Sequence, residues 1–202
     1  MSSTILYRLL SPAADAKEAG DIVERLRQRA LDLPFESVGE IVELTGKDCD
    51  YERVDREHPQ LWLLLQTRQL LADPLEPLRH HAVIPLHIIA FSCQPGPGCE
   101  QANFGLTRYP GMIEVEGGDG CSDCGIETHW DYWSWASFCK TGYACRPEHG
   151  GMSNFRRCHS AVLELLRYAQ SQGILQHVHD EAGYWDNLQT VAQILGLVPS
   201  GA

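Results

Sequence analysis

SNFRRCHSAVLELLRYAQSQGILQHVHD, residues 153–180, is the stretch in which a helical period gives way to an extended one. Phe155, Cys158, Val162, Leu165, Leu166 and Ala169 recur at spacings of three and four, which places them on one helical face. Gly173 supplies a C-terminal stop. ILQHVHD then reads as a strand, DEAG as a turn, and YWDNLQTVAQIL as a closing helix. A helix whose apolar stripe leads within a few residues into a strand predicts packing of helix on sheet.

Upstream, ILYRLL predicts a first strand, and Ser11-Pro12 a helix start. Ala19, Ile22, Val23, Leu26 and Ala30 form the apolar side of that helix, with Asp21 and Arg25 paired along it and Pro34 ending it. SVGEIVEL reads as an imperfect strand, with a helix as the alternative. LWLLLQTRQLLA, residues 61–72, predicts a buried helix. AVIPLHIIAFS, residues 82–92, predicts one strand whose Ala82, Ile84, Leu86, Ile88 and Ala90 share a face, at a sheet edge or bulged at Pro85. NFGLTRY and MIEVE are two further short strands, and GGDG opens a long irregular segment rich in cysteine and tryptophan. Strands and helices that do not alternate regularly predict a single α+β domain over residues 1–202, with helices packed on a mixed or antiparallel sheet.

Of the 202 residues, 44% are hydrophobic and 21% charged, in the range of globular proteins. The net charge of −11 at pH 7 opposes nucleic-acid binding, which needs a basic surface. No apolar run approaches the roughly 18 residues of a membrane span. MSSTILYRLLSPAADA lacks the pattern of a signal peptide, so a cytoplasmic protein is expected. The eight cysteines are then expected to be reduced. Seven of them lie between Cys93 and Cys158, which directs attention to the second half.

Four constellations there carry chemistry. Cys121 and Cys124, in GCSDCG, form a C-x-x-C knuckle that can contribute half of a tetrahedral zinc site, zinc being the cofactor this spacing suggests; two free loop cysteines are the plain alternative. Trp133 and Trp135, in HWDYWSW, can present flat faces to a ligand or bury a large apolar area. Cys139 precedes Lys140, a cation that favours a nucleophilic thiolate, and His159 is a candidate base, although helix position also makes Cys158 and His159 core residues. Lys140, Arg156 and Arg157 gather positive charge in an acidic chain and predict a cleft for a small anionic ligand near the start of the Ser153 helix. Asp180 and Glu181, beside His177, His179 and Tyr184 at a strand end, can ligate a metal, transfer protons, compensate those cations, or cap the last helix.

SFCKTGYA, NFRRCH and DEAGYW together resemble a bacterial protein family of unknown activity, over the second half of the chain. The resemblance implies a bacterial cytosolic setting and no particular reaction. The residues therefore predict a small-molecule or metal site in the second half. Hydrolytic or group-transfer chemistry suits them better than nicotinamide or ATP chemistry, since neither glycine fingerprint is present. The alternative is a non-catalytic, immunity-type or regulatory protein that docks a partner protein and uses its cysteines structurally.

Overall fold

A computed structural model describes residues 3–74, 76, 78–115 and 124–186. Its strands are β1 (Thr4–Ser11), β2 (Ser37–Val38), β3 (Val42–Thr45), β4 (Gln69–Ala72), β5 (His80–Val83), β6 (His87–Gln94), β7 (Ala102–Arg108), β8 (Met112–Val115), β9 (Cys124–Glu127), β10 (Trp133–Lys140) and β11 (Leu175–Asp180). The helices are α1 (Ala16–Leu31), α2 (Leu61–Thr67) and α3 (Gly151–Ser171), with short 3-10 turns between elements. The main sheet runs β11-β1-β10-β7-β6-β2, with β3 also on β6, and every pairing is antiparallel. This is the α+β arrangement expected. No helix among the described residues is long and apolar enough to cross a membrane.

Helix α1 starts at Asp15, later than Ser11-Pro12 suggested. The Asp15 carboxylate accepts the Glu18 N–H at 2.9 Å while Glu18 reaches back to the Ala14 N–H at 2.8 Å, a reciprocal capping arrangement. Its ion pair is Lys17–Asp21 at 2.9 Å instead of Asp21–Arg25. Ala19, Val23, Leu26 and Ala30 are buried as the period predicted. In α3 all six stripe residues are buried, and Gly173 adopts φ +72°, which favours glycine. The closing helix expected from Tyr184 runs into residues 187–202, outside the described part.

Three predicted elements are divided in the structure. Residues 61–72 form a helix only to Thr67, whose hydroxyl donates to Leu64 O at 3.0 Å; Gln69–Ala72 leaves as β4 to pair with β5. Residues 82–92 are two strands, because Pro85 cannot extend a ladder. Strand β5 stays in the hairpin, whereas β6 enters the sheet interior between β7 and the β2 and β3 segments. Ile84 and Leu86, expected to share a face with Ile88 and Ala90, are exposed, whereas Ile88 and Ala90 are buried. SVGEIVEL is extended but interrupted between β2 and β3. The segment after GGDG, expected to be irregular, contains β9 and the central strand β10.

Strand β10 pairs along its whole length with β1, yet with β7 only at Trp133–Arg108 and Ser134–Thr107. Beyond Ser134 the two central strands part. The gap exposes Asn103 O, which accepts Tyr7 OH at 2.6 Å and Trp135 Nε1 at 2.8 Å. Gln66 of α2 bridges the same gap: its Oε1 accepts from Asn103 Nδ2 at 2.8 Å and from Ser137 Oγ at 3.1 Å. On the other side of β7, the contact with β6 is tight, since a Cβ at Gly105 would lie 2.5 Å from both Ala90 Cβ and Ile89 O. Gly105→Ala is therefore expected to destabilise the protein by about 2 kcal/mol in urea unfolding, through overpacking. A variant as stable as the parent would contradict this packing.

Candidate functional site

The parting strands leave a crevice of about 490 Å³. Trp62 and Gln66 of α2 line one side, Asn103 of β7 the floor, and Phe138 and Lys140 of β10 the other side. Gln94, Cys99, Glu100 and Gln101 close one end. Trp62 is 72% exposed, so its indole forms an open wall and contributes little to the core. Lys140 Nζ lies 3.3 Å from Glu100 Oε1 and 5.4 Å from the Phe138 ring. The amides below are ordered: Ser92 Oγ donates to Asn103 Oδ1 at 2.6 Å, and Asn103 in turn donates to Gln66. Gln66 Nε2 donates no hydrogen bond among the described residues.

Cys99 also borders a second depression of about 510 Å³, formed with Tyr143, Arg146 and His149. Arg146 stacks over Tyr143 at 4.6 Å, and its contact with Glu148 is long at 3.8 Å. Residues 98–100 thus separate two concave surfaces.

No family model, curated protein or solved structure matches this chain.

Most residues singled out in the sequence lie away from the crevice. Trp133 and Trp135 are buried core side chains; Trp133 packs edge-on to His87, and Trp135 serves Asn103 O. Cys139 has no exposure, and its S–H donates to Glu100 O at 3.3 Å. Burial first, and then the Glu100 carboxylate, push its thiol well up, opposite to the thiolate expected beside Lys140. Neighbouring residues on a strand point to opposite faces, so Lys140 faces the crevice while Cys139 faces the core. Arg156 is exposed and has no ion pair among the described residues. Arg157 donates to Pro34 O at 2.6 Å, Pro95 O at 3.2 Å and Asn154 Oδ1 at 2.9 Å.

The cations therefore do not converge on Asp180 and Glu181, as their charges suggested. Glu100 meets Lys140, backbone carbonyls meet Arg157, and Glu181 Oε2 accepts the Thr4 N–H at 2.9 Å. Cys121 and the Cys124 thiol lie outside the described part, so their zinc reading gains no geometry here. Among the described residues, no three His, Cys, Asp or Glu side chains form a group that could hold a metal ion.

His159 and Asp180 do meet, in a sealed arrangement. The imidazole and the carboxylate are 0% and 1% exposed, with Nε2 3.1 Å from Asp180 Oδ1. That contact is bent away from good hydrogen-bond alignment, whereas Nδ1 is 2.8 Å from Thr141 Oγ1. Phe155 and Tyr184 cover the ring at 5.1 and 5.3 Å. Asp180 also accepts the N–H groups of Ala182, Tyr184 and Trp185 at 2.9, 2.7 and 3.0 Å. A hydroxyl, an imidazole and a carboxylate in line can transfer protons, but here nothing reaches them. They join the end of β10 to α3 and to the turn after β11.

The crevice residues Trp62, Gln66, Glu100 and Asn103 were not singled out in the sequence. Gln66 gave one usable signal, an amide at the end of the otherwise apolar LWLLLQ.

The Asp180 carboxyl is subject to opposed influences. Burial raises it, but His159 and the N–H groups of Ala182 and Trp185 together hold it below the usual carboxylate range. Its contribution to stability is thus present above the unfolded value of about 3.9 and is lost as pH falls through the folded value. Asp180→Ala is expected to cost about 3 kcal/mol at neutral pH, through the broken buried pair and lost cap. Asp180→Asn should show a flatter loss of stability below about pH 4 than the parent in urea titrations. Superimposable acid profiles would remove this role from Asp180.

Proposed function

We propose that this protein binds a small anionic molecule with a flat or ring-shaped polar body in the crevice between β7 and β10. The observation that carries this reading is the opening itself: two central strands part, and the gap is lined by amides, a cation and two aromatic faces. Concave sites that place a few polar groups between apolar walls are the usual form of small-molecule sites. Trp62 and Phe138 offer faces for stacking. Lys140 supplies the positive charge, and the free Nε2 of Gln66 a directional donor. The exposed Lys140–Glu100 pair contributes about 0–1 kcal/mol, so a ligand anion can take the place of Glu100 at little cost. Binding needs none of the buried groups Cys139, His159 and Asp180.

Docking of a partner protein is a second reading, favoured by further apolar side chains that are exposed. Leu65 of α2, Leu70 of the β4–β5 hairpin, and Ile84 and Leu86 after it all face outward. Lys140→Glu separates the two, because it alters the crevice and leaves these apolar side chains unchanged.

A panel of aromatic and sugar carboxylates and phosphates, compared with sodium chloride at matched ionic strength, tests the proposal by thermal shift. At one hundred times its Kd a ligand stabilises the fold by about 2.7 kcal/mol. Lys140→Glu and Trp62→Ala should each raise the Kd about tenfold or more while leaving the unliganded melting temperature nearly unchanged. Stabilisation by no member beyond the chloride control, or stabilisation insensitive to both substitutions, would overturn the crevice reading.

A further inference from the structure

Strand β10 borders more than the crevice. Ile5, Tyr7 and Leu9 of β1, with Trp133, Trp135 and Cys139 of β10, turn inwards and are buried. Their neighbours Leu6, Arg8, Ala136 and Phe138 alternate to the outer side of the sheet. There they line an open depression of about 620 Å³, together with Gln176 and His177. Phe138 is shared, since it also walls the crevice that holds Lys140. The two concave surfaces meet at one aromatic side chain.

The charges on this outer side differ from those of the whole chain. The net charge is −11, yet the outward positions of β1, β10 and β11 bear Arg8, Lys140, His177 and His179 and no carboxylate. Asp180 points the other way, to His159, and Glu181 beyond the strand is turned to the Thr4 N–H. Arg8 is exposed and forms no ion pair among the described residues; its cross-strand neighbours are Ala136 and His177.

Strand register sets the spacing of the two cations. Lys140 is opposite Thr4 and Arg8 opposite Ala136, so four residue steps separate them along the strands, roughly 13 Å. The Debye length is about 8 Å at physiological salt, so the two act as separate anchors instead of one patch. Between them lie Phe138 and Leu6, themselves a register pair, and Leu6 is 43% exposed. An apolar step joins two positive ends.

The geometry points to an elongated dianion as the ligand, with one anionic group at Lys140, an apolar middle across Phe138 and Leu6, and a second anionic group at Arg8. This inference rests on the crevice as the binding site of the first anion. Once that end is held, the second is confined near Arg8, and a weak exposed contact gains from the high effective concentration. An acidic chain repels added negative charge, so a second anion weakens binding unless a cation is positioned for it. Spacer length matters for the same reason. A short spacer leaves the second anion over Phe138 and Leu6, away from Arg8.

The test is isothermal titration calorimetry on the full chain with para-alkoxybenzoates whose alkyl chain ends in a carboxylate, in a series of lengths that brackets this separation. Each is paired with the same molecule ending in a neutral primary amide. At the matching length the dicarboxylate is expected to bind about fivefold tighter than its amide, and at the shortest length no tighter. Arg8→Ala should abolish that gain, so that dicarboxylate and amide bind alike, whereas Arg8→Lys should retain part of it. Lys140→Glu should weaken both members of each pair. The length comparison uses the unaltered protein and decides without any variant. Amides that bind with no gain from the second carboxylate at any length, or a gain that survives Arg8→Ala, would overturn the dianion inference and leave the crevice reading standing. Binding by neither series would remove the crevice reading itself, and this inference with it.

Discussion

The fold depends on a single backbone carbonyl. Once β10 leaves β7 after Ser134, Asn103 O loses the ladder partner that a continuous sheet would supply. A buried acceptor left unpaired costs about 1–3 kcal/mol. Tyr7 from β1 and Trp135 from β10 both donate to it, and so two strands of one half of the sheet are fastened to the first strand of the other half. Satisfying this carbonyl with side chains keeps the gap open, because a closed ladder would leave no space for them. Gln66 then spans the opening from α2, and the crevice is the solvent-facing remainder. Structure and candidate site share one cause.

A second fastening stands at the far end of β10, where Thr141, His159 and Asp180 meet. Thr141 N–H donates to Ser3 O at 2.9 Å, so β1 joins the same knot as α3 and β11. A hydroxyl, imidazole and carboxylate in contact would be read as catalytic on an open surface. With no exposure and with Phe155 and Tyr184 over the ring, the same groups act as a polar rivet inside the core. Burial, and not residue type, separates the two roles.

Periodic features of the chain were legible, and dependence on distant partners was not. The α3 stripe, the α1 stripe and the β11 strand follow from spacings of three and four or of two. Trp133 and Trp135 also alternate with Ser134 and Ala136, a strand signal that the neighbouring Trp130 obscured. LWLLLQTRQLLA is apolar throughout, and periodicity alone cannot say where such a run stops being a helix. Pro85 was read as marking an edge position or a bulge in one strand, whereas it divides two strands that belong to different sheets. The crevice needs Gln66, Asn103 and Lys140, which only the folded sheet brings together. Charge clustering misled for the same reason: Glu100 and the carbonyls of Pro34 and Pro95, all remote in sequence, compensate Lys140 and Arg157.

The loop between β6 and β7 links these features. On its crevice side, Gln94 Nε2 donates to Gly96 O at 2.9 Å and Cys99 O at 3.2 Å. On its helix side, Pro95 O meets Arg157 and Cys158, and Pro97 O accepts Asn154 Nδ2 at 3.0 Å. Glu100, which directly follows Cys99, donates its N–H to Lys140 O at 2.9 Å and carries the carboxylate nearest the Lys140 ammonium. Gln94 is tied to Cys99 by its side-chain amide and Glu100 directly follows it, so both stand in the end wall that this loop forms. The seven residues between β6 and β7 therefore hold the end wall of the crevice and the first turns of α3 in one hydrogen-bonded unit.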